Sequence, residues 1–421
     1  MRILWFTGTP SLYEQKTHPY NGVGWIYSLE TLLRQQSGIE LAISFLHESD
    51  NGRAEKEGVI YYPIKRTSIT SNPMRWIINN HLGIEENEAY YLKKLLDIVN
   101  DFNPDIIHIF GTEGIFALLQ GKTPKPIIIQ LQGILNPCKN AFFPPIKFKS
   151  SFNSINFIKE HLLGTTLSNR YKLFCNMAER EKICFSRSKC LVGHTEWDKN
   201  VSLLMAPQAK YFHIDEVLRP IFYLTKKDNY RKGKTIKIVS TLSPTIYKGI
   251  DVVFKTADLL KKSISINFVW DIIGIDGNSQ FLKKFEKELK ISHVENNLVC
   301  LGKKSPEEIA TLLLDADLFV HPSYIDNSPN SVCEAQILGL PVIACNVGGL
   351  ATLIDNGSTG LLIPSNGVFE LAHIIADYDK NPEVYFNYGR LAREKALQRH
   401  NKTIIINDLL NLYNQYSCNI L

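Results

Sequence analysis

The sequence predicts an α/β protein with two doubly wound domains, each a parallel sheet covered by helices on both faces, and a cleft between the domains. The chain has 421 residues, more than one hydrophobic core usually holds. Apolar residues make up 44% and aromatic residues 10%, which suits large buried cores rather than disorder. Strand-like and helix-like segments alternate along both halves, and this rhythm is typical of β-α-β units.

The first half of the chain predicts an N-terminal domain over residues 1–215. Residues 2–8 are a short apolar run, and residues 24–38 have helical spacing that ends at a glycine. An amphipathic helix is expected over 90–104, followed by strands whose carboxyl ends carry glycine. The expected order therefore places loops of neighbouring parallel strands at one edge of the sheet.

The alternation stops and then restarts in the second half. Residues 216–233 are polar and charged, which predicts a linker. Strands and helices then alternate over 234–385, where Ser305 followed by two glutamates predicts a capped helix start. Residues 386–421 predict helices that pack back on the N-terminal domain.

Positive charge is concentrated between residues 120 and 235, which hold 20 Lys or Arg and 8 Asp or Glu. Within this region, residues 142–164 alternate aromatic and basic side chains. The pattern is typical either of a peripheral contact with an anionic membrane or a lipid-linked substrate, or of an ordinary solvated face. No nucleic-acid-binding motif accompanies the charge, so we expect no nucleic-acid partner.

Several function classes lack their sequence signals. No apolar run reaches the ~18 residues of a membrane span, and residues 1–10 lack the long apolar region of a signal peptide. We therefore expect a cytoplasmic protein, or one at the inner face of the cell membrane. The eight cysteines form no C-x-x-C pair or zinc spacing, so no metal is expected. No G-x-G-x-x-G follows the first strand, which argues against a dehydrogenase.

Two acids flank a predicted helix start in the second domain. The run DLFVHPS predicts a strand, and Asp326 lies in the loop after it. Asn330 or Ser331 is expected to cap the next helix, with Glu334 one turn inside. A helix N-terminus offers free backbone N–H groups and a positive dipole end. This arrangement predicts a phosphate seat between two acceptors for hydroxyl groups.

The same stretch resembles a known family. Residues 326–349, DNSPNSVCEAQILGLPVIACNVGG, resemble the E-x7-E region of retaining glycosyltransferases with the GT-B fold, family 4, also called glycosyl transferases group 1. Residues 247–262 resemble its Lys-Gly-x-Asp segment, 270–277 its Ile-x-Gly-x-Gly strand, and 357–364 its next turn. The resemblance covers most of the second domain, and the combined set is specific.

This resemblance implies two Rossmann-like domains, with the acceptor on the N-terminal side and the donor on the C-terminal side. The implied reaction is retaining, metal-independent transfer of a sugar from a nucleotide-diphosphate donor to a hydroxyl. The acceptor would be a glycan or lipid-linked molecule of bacterial surface polysaccharide or glycolipid synthesis. UDP-linked donors are favoured over GDP-linked ones, and no cofactor is expected.

The resemblance also assigns roles to residues. Glu334 would accept from the ribose hydroxyls, Asp326 would face the donor sugar, and Lys248 would bind the diphosphate. Thr241 stands where the family has a second clamp residue, an arginine, and the sequence does not identify its replacement. The other expected donor-binding residues are Gly22, Gly24, Gly274, Gly302, Asn327, Ser328, Pro329, Asn330 and Ser331.

On the acceptor side, Gln132 stands where the family often has a histidine. Glu113, Gly133 and His194 are further acceptor-side candidates, and His108 is either a contact or a packed core histidine. Asp198 is expected on a solvated helix face. Two alternative functions stay open: a nucleotide-sugar epimerase of the same fold, and a non-catalytic sugar-nucleotide-binding protein.

Overall fold

The computed structural model describes residues 1–14, 24–49, 52–66, 72–84, 87–146, 155–227, 233–264 and 266–417. The strands of these residues are β1 (Arg2–Thr7), β2 (Glu40–His47), β3 (Ala54–Lys56), β4 (Val59–Lys65), β5 (Ile106–Phe110), β6 (Ile127–Gln130), β7 (Cys190–Gly193), β8 (Lys210–His213), β9 (Ile236–Thr241), β10 (Phe268–Ile273), β11 (Leu298–Gly302), β12 (Leu318–His321), β13 (Val342–Cys345) and β14 (Leu361–Ile363).

Helices cover and connect these strands. They are α1 (Gly24–Leu33), α2 (Pro73–Leu82), α3 (Glu88–Phe102), α4 (Leu135–Asn140), α5 (Ile155–Leu162), α6 (Leu167–Arg187), α7 (Glu196–Met205), α8 (Pro220–Leu224), α9 (Ile250–Leu259), α10 (Gln280–Leu289), α11 (Pro306–Asp315), α12 (Asn330–Leu338), α13 (Leu350–Leu353), α14 (Val368–Lys380), α15 (Pro382–Arg399) and α16 (Lys402–Ser417).

The N-terminal sheet has the strand order β3-β4-β2-β1-β5-β6-β7-β8 among the described residues. Its strands are parallel except for β3, which runs antiparallel to β4. Successive residues of β1 face opposite cores: Ile3 and Trp5 pack on one side, Leu4 and Phe6 on the other. A strand buried on both faces must be apolar throughout, which explains its unbroken hydrophobic run.

The C-terminal sheet is parallel, with the order β11-β10-β9-β12-β13-β14. It too divides two cores, since Ile238 of β9 packs into one and its neighbour Val239 into the other. As predicted, Ser305 caps a helix there: it accepts from the Glu308 amide while the Glu308 carboxylate accepts from the Ser305 amide. This doubly wound pair of domains confirms the predicted fold class.

Two segments pass between the domains. The one expected to be a polar linker is packed where it is described, because Leu218 and Phe222 are buried in a C-terminal core. Helix α15 packs on α12, and α16 returns to the N-terminal domain against α1 and β5. There the Tyr413 hydroxyl accepts from Trp5 Nε1 at 2.9 Å. Among the described residues, no helix has the length and apolar character needed to cross a membrane.

Candidate active site

The candidate site lies in a cleft of about 520 Å³ between the two domains. It is lined by residues that follow strands of both sheets, where open α/β sheets bind ligands. The structure brings together here most of the residues predicted from the sequence: Gly24, Gln132, Thr241, Lys248, Gly274, Asp326, Ser328, Pro329, Asn330, Ser331 and Glu334. The lining also holds charged or titratable residues that the sequence did not indicate, namely Glu216, Arg219, Lys303, Lys304 and His321.

Asp326 and Lys248 form an ion pair in this cleft. Asp326 Oδ2 lies 2.6 Å from Lys248 Nζ and 2.9 Å from His321 Nε2. Burial alone would raise the pKa of Asp326, but Lys248 and His321 outweigh it and hold that pKa well below its ordinary value. In the described part of the chain, Oδ1 of Asp326 has no hydrogen-bond partner. The carboxylate is therefore ionised and keeps one oxygen to accept a hydroxyl.

The backbone beside Lys248 is shaped for close approach to the strand-end loop. Gly249 has φ of 78°, and a Cβ there would collide with the carbonyl oxygen of Pro322. A side chain at Gly249 would thus push Lys248 away from the loop that carries Asp326. This accounts for the Lys-Gly pair of the motif in physical terms.

Glu334 is held by an arginine from the interdomain segment. Arg219 Nε lies 2.7 Å from Glu334 Oε1, and Arg219 Nη2 lies 2.8 Å from Oε2. Burial raises the pKa of Glu334, and the charge and hydrogen bonds of Arg219 oppose that rise. Arg219 lies in the segment predicted to be a linker and was not among the predicted site residues. Its one signal was a lone charge between apolar residues, in VLRPIF.

The start of α12 differs from the expectation in one respect. The helix begins at Asn330, and its N-cap is Pro329, with no side-chain hydrogen bond to the first turn. The prediction that Asn330 or Ser331 caps the helix was therefore wrong. The Val332 and Cys333 amides donate to the Pro329 carbonyl, and no side chain caps the turn, so a positive dipole end lies beside the cleft. Such an end is suited to an anion.

Asn327, predicted to bind the donor, instead joins the two domains. It is buried, its Nδ2 donates to Asp198 Oδ2 at 2.9 Å, and its Oδ1 accepts from Thr195 Oγ1 at 2.7 Å. Because its amide is used on these N-terminal residues, it is not free for a ligand. Asp198, predicted to lie on a solvated helix face, is instead fully buried. It also accepts from the Tyr211 hydroxyl and from two backbone amides.

A second cavity of about 320 Å³ adjoins the cleft on the N-terminal side, and Gln132 lines both. Glu113 and Arg66 also line this cavity. Burial raises the pKa of Glu113 to about 7, although Glu113 Oε1 accepts from the Gly133 amide at 2.6 Å. Near neutral pH, Glu113 can therefore carry a proton, and Gln132 connects its cavity to the cleft.

The remaining predicted residues lie elsewhere. Gly22 is outside the described residues. Gly133 and Gly302 are not among the described residues that line the cleft, and Gly302 accepts from the Gly274 amide. His194 is buried directly after β7, with Nδ1 2.8 Å from the Ile214 carbonyl, so it is a packed residue rather than an acceptor contact. His108 is also packed, with Nδ1 2.6 Å from the Tyr413 hydroxyl.

No group of three or more His, Cys, Asp or Glu residues in the described ranges is arranged to hold a metal ion.

Comparison with known proteins was made for sequence and for structure. Residues 224–398 match the family model for glycosyl transferases group 1. A putative colanic acid biosynthesis glycosyltransferase, WcaL of Salmonella typhimurium, is 26% identical over 187 residues. That alignment covers 43% of this chain and 45% of the relative, so the chain spans less than half the length of this curated relative.

Solved structures are similar over nearly the whole chain. Sucrose-phosphate synthase from Thermosynechococcus elongatus has a TM-score of 0.71 at 15% identity, with 98% of each chain covered. Anabaena HepE in complex with UDP and glucose has a TM-score of 0.63 at 14% identity, with 98% and 99% covered. At these identities the likeness concerns the fold. The chain has the GT-B fold, and within it residues 224–398 match the model for glycosyl transferases group 1.

Proposed function

We propose that the protein is a retaining glycosyltransferase that moves a sugar from a nucleotide-diphosphate donor to a hydroxyl acceptor. The observation that carries the proposal is the convergence of Lys248, Asp326, Glu334 and the uncapped start of α12 on one interdomain cleft. A cation and a helix N-terminus suit a pyrophosphate, and two carboxylates suit hydroxyl groups on either side of it.

The donor would lie with its diphosphate between Lys248 and the first turn of α12. Glu334, one turn further along the helix, would accept from the ribose hydroxyls, and the unpartnered Oδ1 of Asp326 would accept from a hydroxyl of the donor sugar. We favour UDP over GDP because a structural neighbour, Anabaena HepE, is described in complex with UDP and glucose.

In the proposed reaction, the bond between the sugar's anomeric carbon and the diphosphate oxygen breaks as the acceptor oxygen bonds to that carbon on the same face. The acceptor proton passes to the departing diphosphate oxygen. Lys248 and the α12 amides would stabilise the charge that develops on the diphosphate. Asp326 is poorly suited to act as an acid, since its pKa is held low. Closure of the domains would orient the acceptor and exclude water.

The acceptor would enter from the N-terminal cavity. Gln132 lines both cavities, and its Nε2 is buried without a hydrogen-bond partner among the described residues. Such a group favours a hydroxyl that can accept from it. Glu113 contributes a carboxyl group that changes charge near neutral pH.

We also propose a lipid-linked acceptor of surface polysaccharide or glycolipid synthesis and contact with an anionic membrane. Met74, Ile78 and Leu82 follow each other at four-residue spacing on α2 and are exposed. Ile158 and Leu162 of α5 are also exposed. Helix α5 lies close to α2, since Asn80 of α2 donates to the Leu163 carbonyl. We call these five side chains the α2–α5 surface.

Arg75 and Lys159 neighbour Met74 and Ile158 along the chain, and Lys172 Nζ donates to the carbonyl of His81, next to Leu82. Apolar side chains beside cations are the composition that binds an anionic bilayer. The aromatic and basic pattern of residues 142–164 is typical of such a contact or of a solvated face, and residues 147–154 of that stretch lie outside the described ranges. The relative named for colanic acid biosynthesis supports the same class of acceptor.

A panel of nucleotide sugars tests the proposed function and its two alternatives. Each sugar is incubated with the protein, with and without a hydroxyl acceptor, and the products are followed by NMR. The proposal expects transfer or slow hydrolysis of a UDP-sugar, with a product of unchanged anomeric configuration. An isomerised sugar without an acceptor would favour the epimerase. Binding of a UDP-sugar without turnover under any condition would favour the non-catalytic binder.

A further inference from the structure

Arg219 is fixed in the cleft by contacts with both domains. Its side chain is 16% exposed, and its guanidinium lies 4.9 Å from the centre of the Phe222 ring. Its stem lies against Gly24 of α1, where an added Cβ would come within 2.7 Å of Arg219 Cδ and 3.0 Å of Arg219 Cγ. A side chain larger than glycine at position 24 would therefore displace Arg219. This gives Gly24 a role besides approach to a ligand.

The partner of Arg219 is a carboxylate that burial would otherwise protonate. Glu334 is 4% exposed, and Arg219 is the charged group whose attraction opposes the rise in its pKa. A carboxylate left buried without its cation takes up a proton rather than keep an uncompensated charge. The two bonds from Arg219 thus favour the ionised form of Glu334, which accepts hydrogen bonds and does not donate them.

The geometry of the pair also fixes how the carboxylate is turned. Two N–H···O bonds, of 2.7 and 2.8 Å, each engage one carboxylate oxygen, which is the bidentate pairing of an arginine with a carboxylate. Each oxygen has two lone-pair positions, so each keeps one to accept from another donor. Two oxygens that each accept one hydroxyl match a pair of adjacent hydroxyl groups on a ring.

We propose that Arg219 is a positioning residue: it holds Glu334 ionised and oriented to read the two ribose hydroxyls, and Gly24 is the residue that admits it. The inference rests on the proposed function, which puts a nucleotide in this cleft. The segment between the domains and the first helix of the N-terminal domain then both contribute to pentose recognition by the C-terminal domain.

Binding of UDP and of 2′,3′-dideoxy-UDP, measured by calorimetry, tests this inference. The two ligands differ only at the ribose, so direct effects on the diphosphate cancel in the ratio of their dissociation constants. Hydrogen bonds to a charged group predict that the wild type binds UDP about 10–100-fold tighter than the dideoxy form. In Arg219→Met this preference should fall below about 3-fold, with dideoxy-UDP binding nearly unchanged.

Gly24→Ala gives an independent variant that alters neither charged residue. It should reduce the UDP preference in the same way, because its Cβ displaces Arg219. Gly277→Ala is the matched control, since a Cβ there meets neighbours no closer than 3.7 Å and Gly277 does not line the cleft. The control should keep the wild-type preference. In a Glu334→Gln background, Arg219→Met should change the preference less than about 2-fold, because the pair acts as a unit.

The pH dependence separates positioning from mere structural support. In Arg219→Met, the UDP preference should recover as the pH rises and Glu334 loses its proton, whereas the wild-type preference should stay level. If Arg219→Met and Gly24→Ala both keep the wild-type ratio of UDP to dideoxy-UDP affinity, the inference is overturned. An equal loss of affinity for the two ligands would overturn it as well. A wild type that binds neither ligand would overturn the proposed function together with it.

Discussion

Lys248 Nζ lies 2.6 Å from Asp326 Oδ2, so the cation proposed for the diphosphate is already paired with the carboxylate proposed for the donor sugar. His321 shares the same oxygen at 2.9 Å. The pair places a positive charge beside the start of α12 without leaving Asp326 uncompensated. Donor binding would add a second anionic partner to Lys248.

Lys248→Met should weaken UDP binding about 10–100-fold, since a charge-assisted contact to phosphate contributes about 1.5–3 kcal/mol. Isothermal titration calorimetry measures the change. Lys262→Met is the control, because Lys262 is a lysine with a 71% exposed side chain that lies outside the cleft. Equal affinity of Lys248→Met and the wild type would remove Lys248 from the diphosphate site.

Asn327→Leu should lower the thermal unfolding midpoint by about 2–8 °C, because it removes buried hydrogen bonds between the domains and leaves Asp198 with fewer donors. Differential scanning calorimetry checks this. Asn278→Leu, at an exposed asparagine, should change the midpoint by less than about 2 °C. Similar midpoints for both variants would show that Asn327 does not join the domains in solution.

Glu113→Gln should change how stability depends on pH. Burial raises the folded-state pKa of Glu113 from its ordinary value of 4.5 to about 7, so the folded protein holds a proton that the unfolded chain releases. The free energy of unfolding of the wild type therefore falls as the pH rises from 4.5 to about 7. The stability of Glu113→Gln relative to wild type should therefore increase between pH 4.5 and 7 and then level off.

Urea unfolding of both proteins at each pH measures this difference. Other titrating groups, including buried Glu216, are common to both proteins and cancel in the comparison. A difference that is constant from pH 4.5 to 8 would contradict a raised pKa of Glu113.

Replacing Met74, Ile78 and Leu82 together by serine should reduce co-sedimentation with phosphatidylglycerol vesicles at least about 10-fold. The reason is that three apolar side chains that would be buried in the bilayer are lost from the contact. Binding to neutral phosphatidylcholine vesicles should be weak for every variant. The control replaces Leu204, Leu224 and Phe369, exposed apolar side chains outside the α2–α5 surface. Equal loss in both triple variants would refute the α2–α5 surface as the membrane contact.

The sequence predicted the C-terminal domain well because local signals there agree with the fold. Strand β9 ends at Thr241 and the loop after β12 carries Asp326, and both residues line the cleft. Glu334 follows within one helical turn. Alternation of parallel strands and helices is sufficient to bring the loops of neighbouring strands together.

The misses arose where the two domains meet. Arg219 pairs with a residue 115 positions away, and the Asn327–Asp198 bond spans 129 positions. Neither pair leaves a periodic pattern, so Arg219 was not identified and a buried aspartate was expected to be solvated. Of the proposed α2–α5 surface, the sequence indicated only the α5 part, within residues 142–164, because α2 is separated from it along the chain.

A crystal structure of the protein grown with UDP is the sharpest test of the proposed donor site. We expect the pyrophosphate within hydrogen-bond distance of Lys248 Nζ and the first amides of α12, with the ribose hydroxyls on Glu334. UDP bound at another surface, or a cleft that stays empty at saturating UDP, would contradict it.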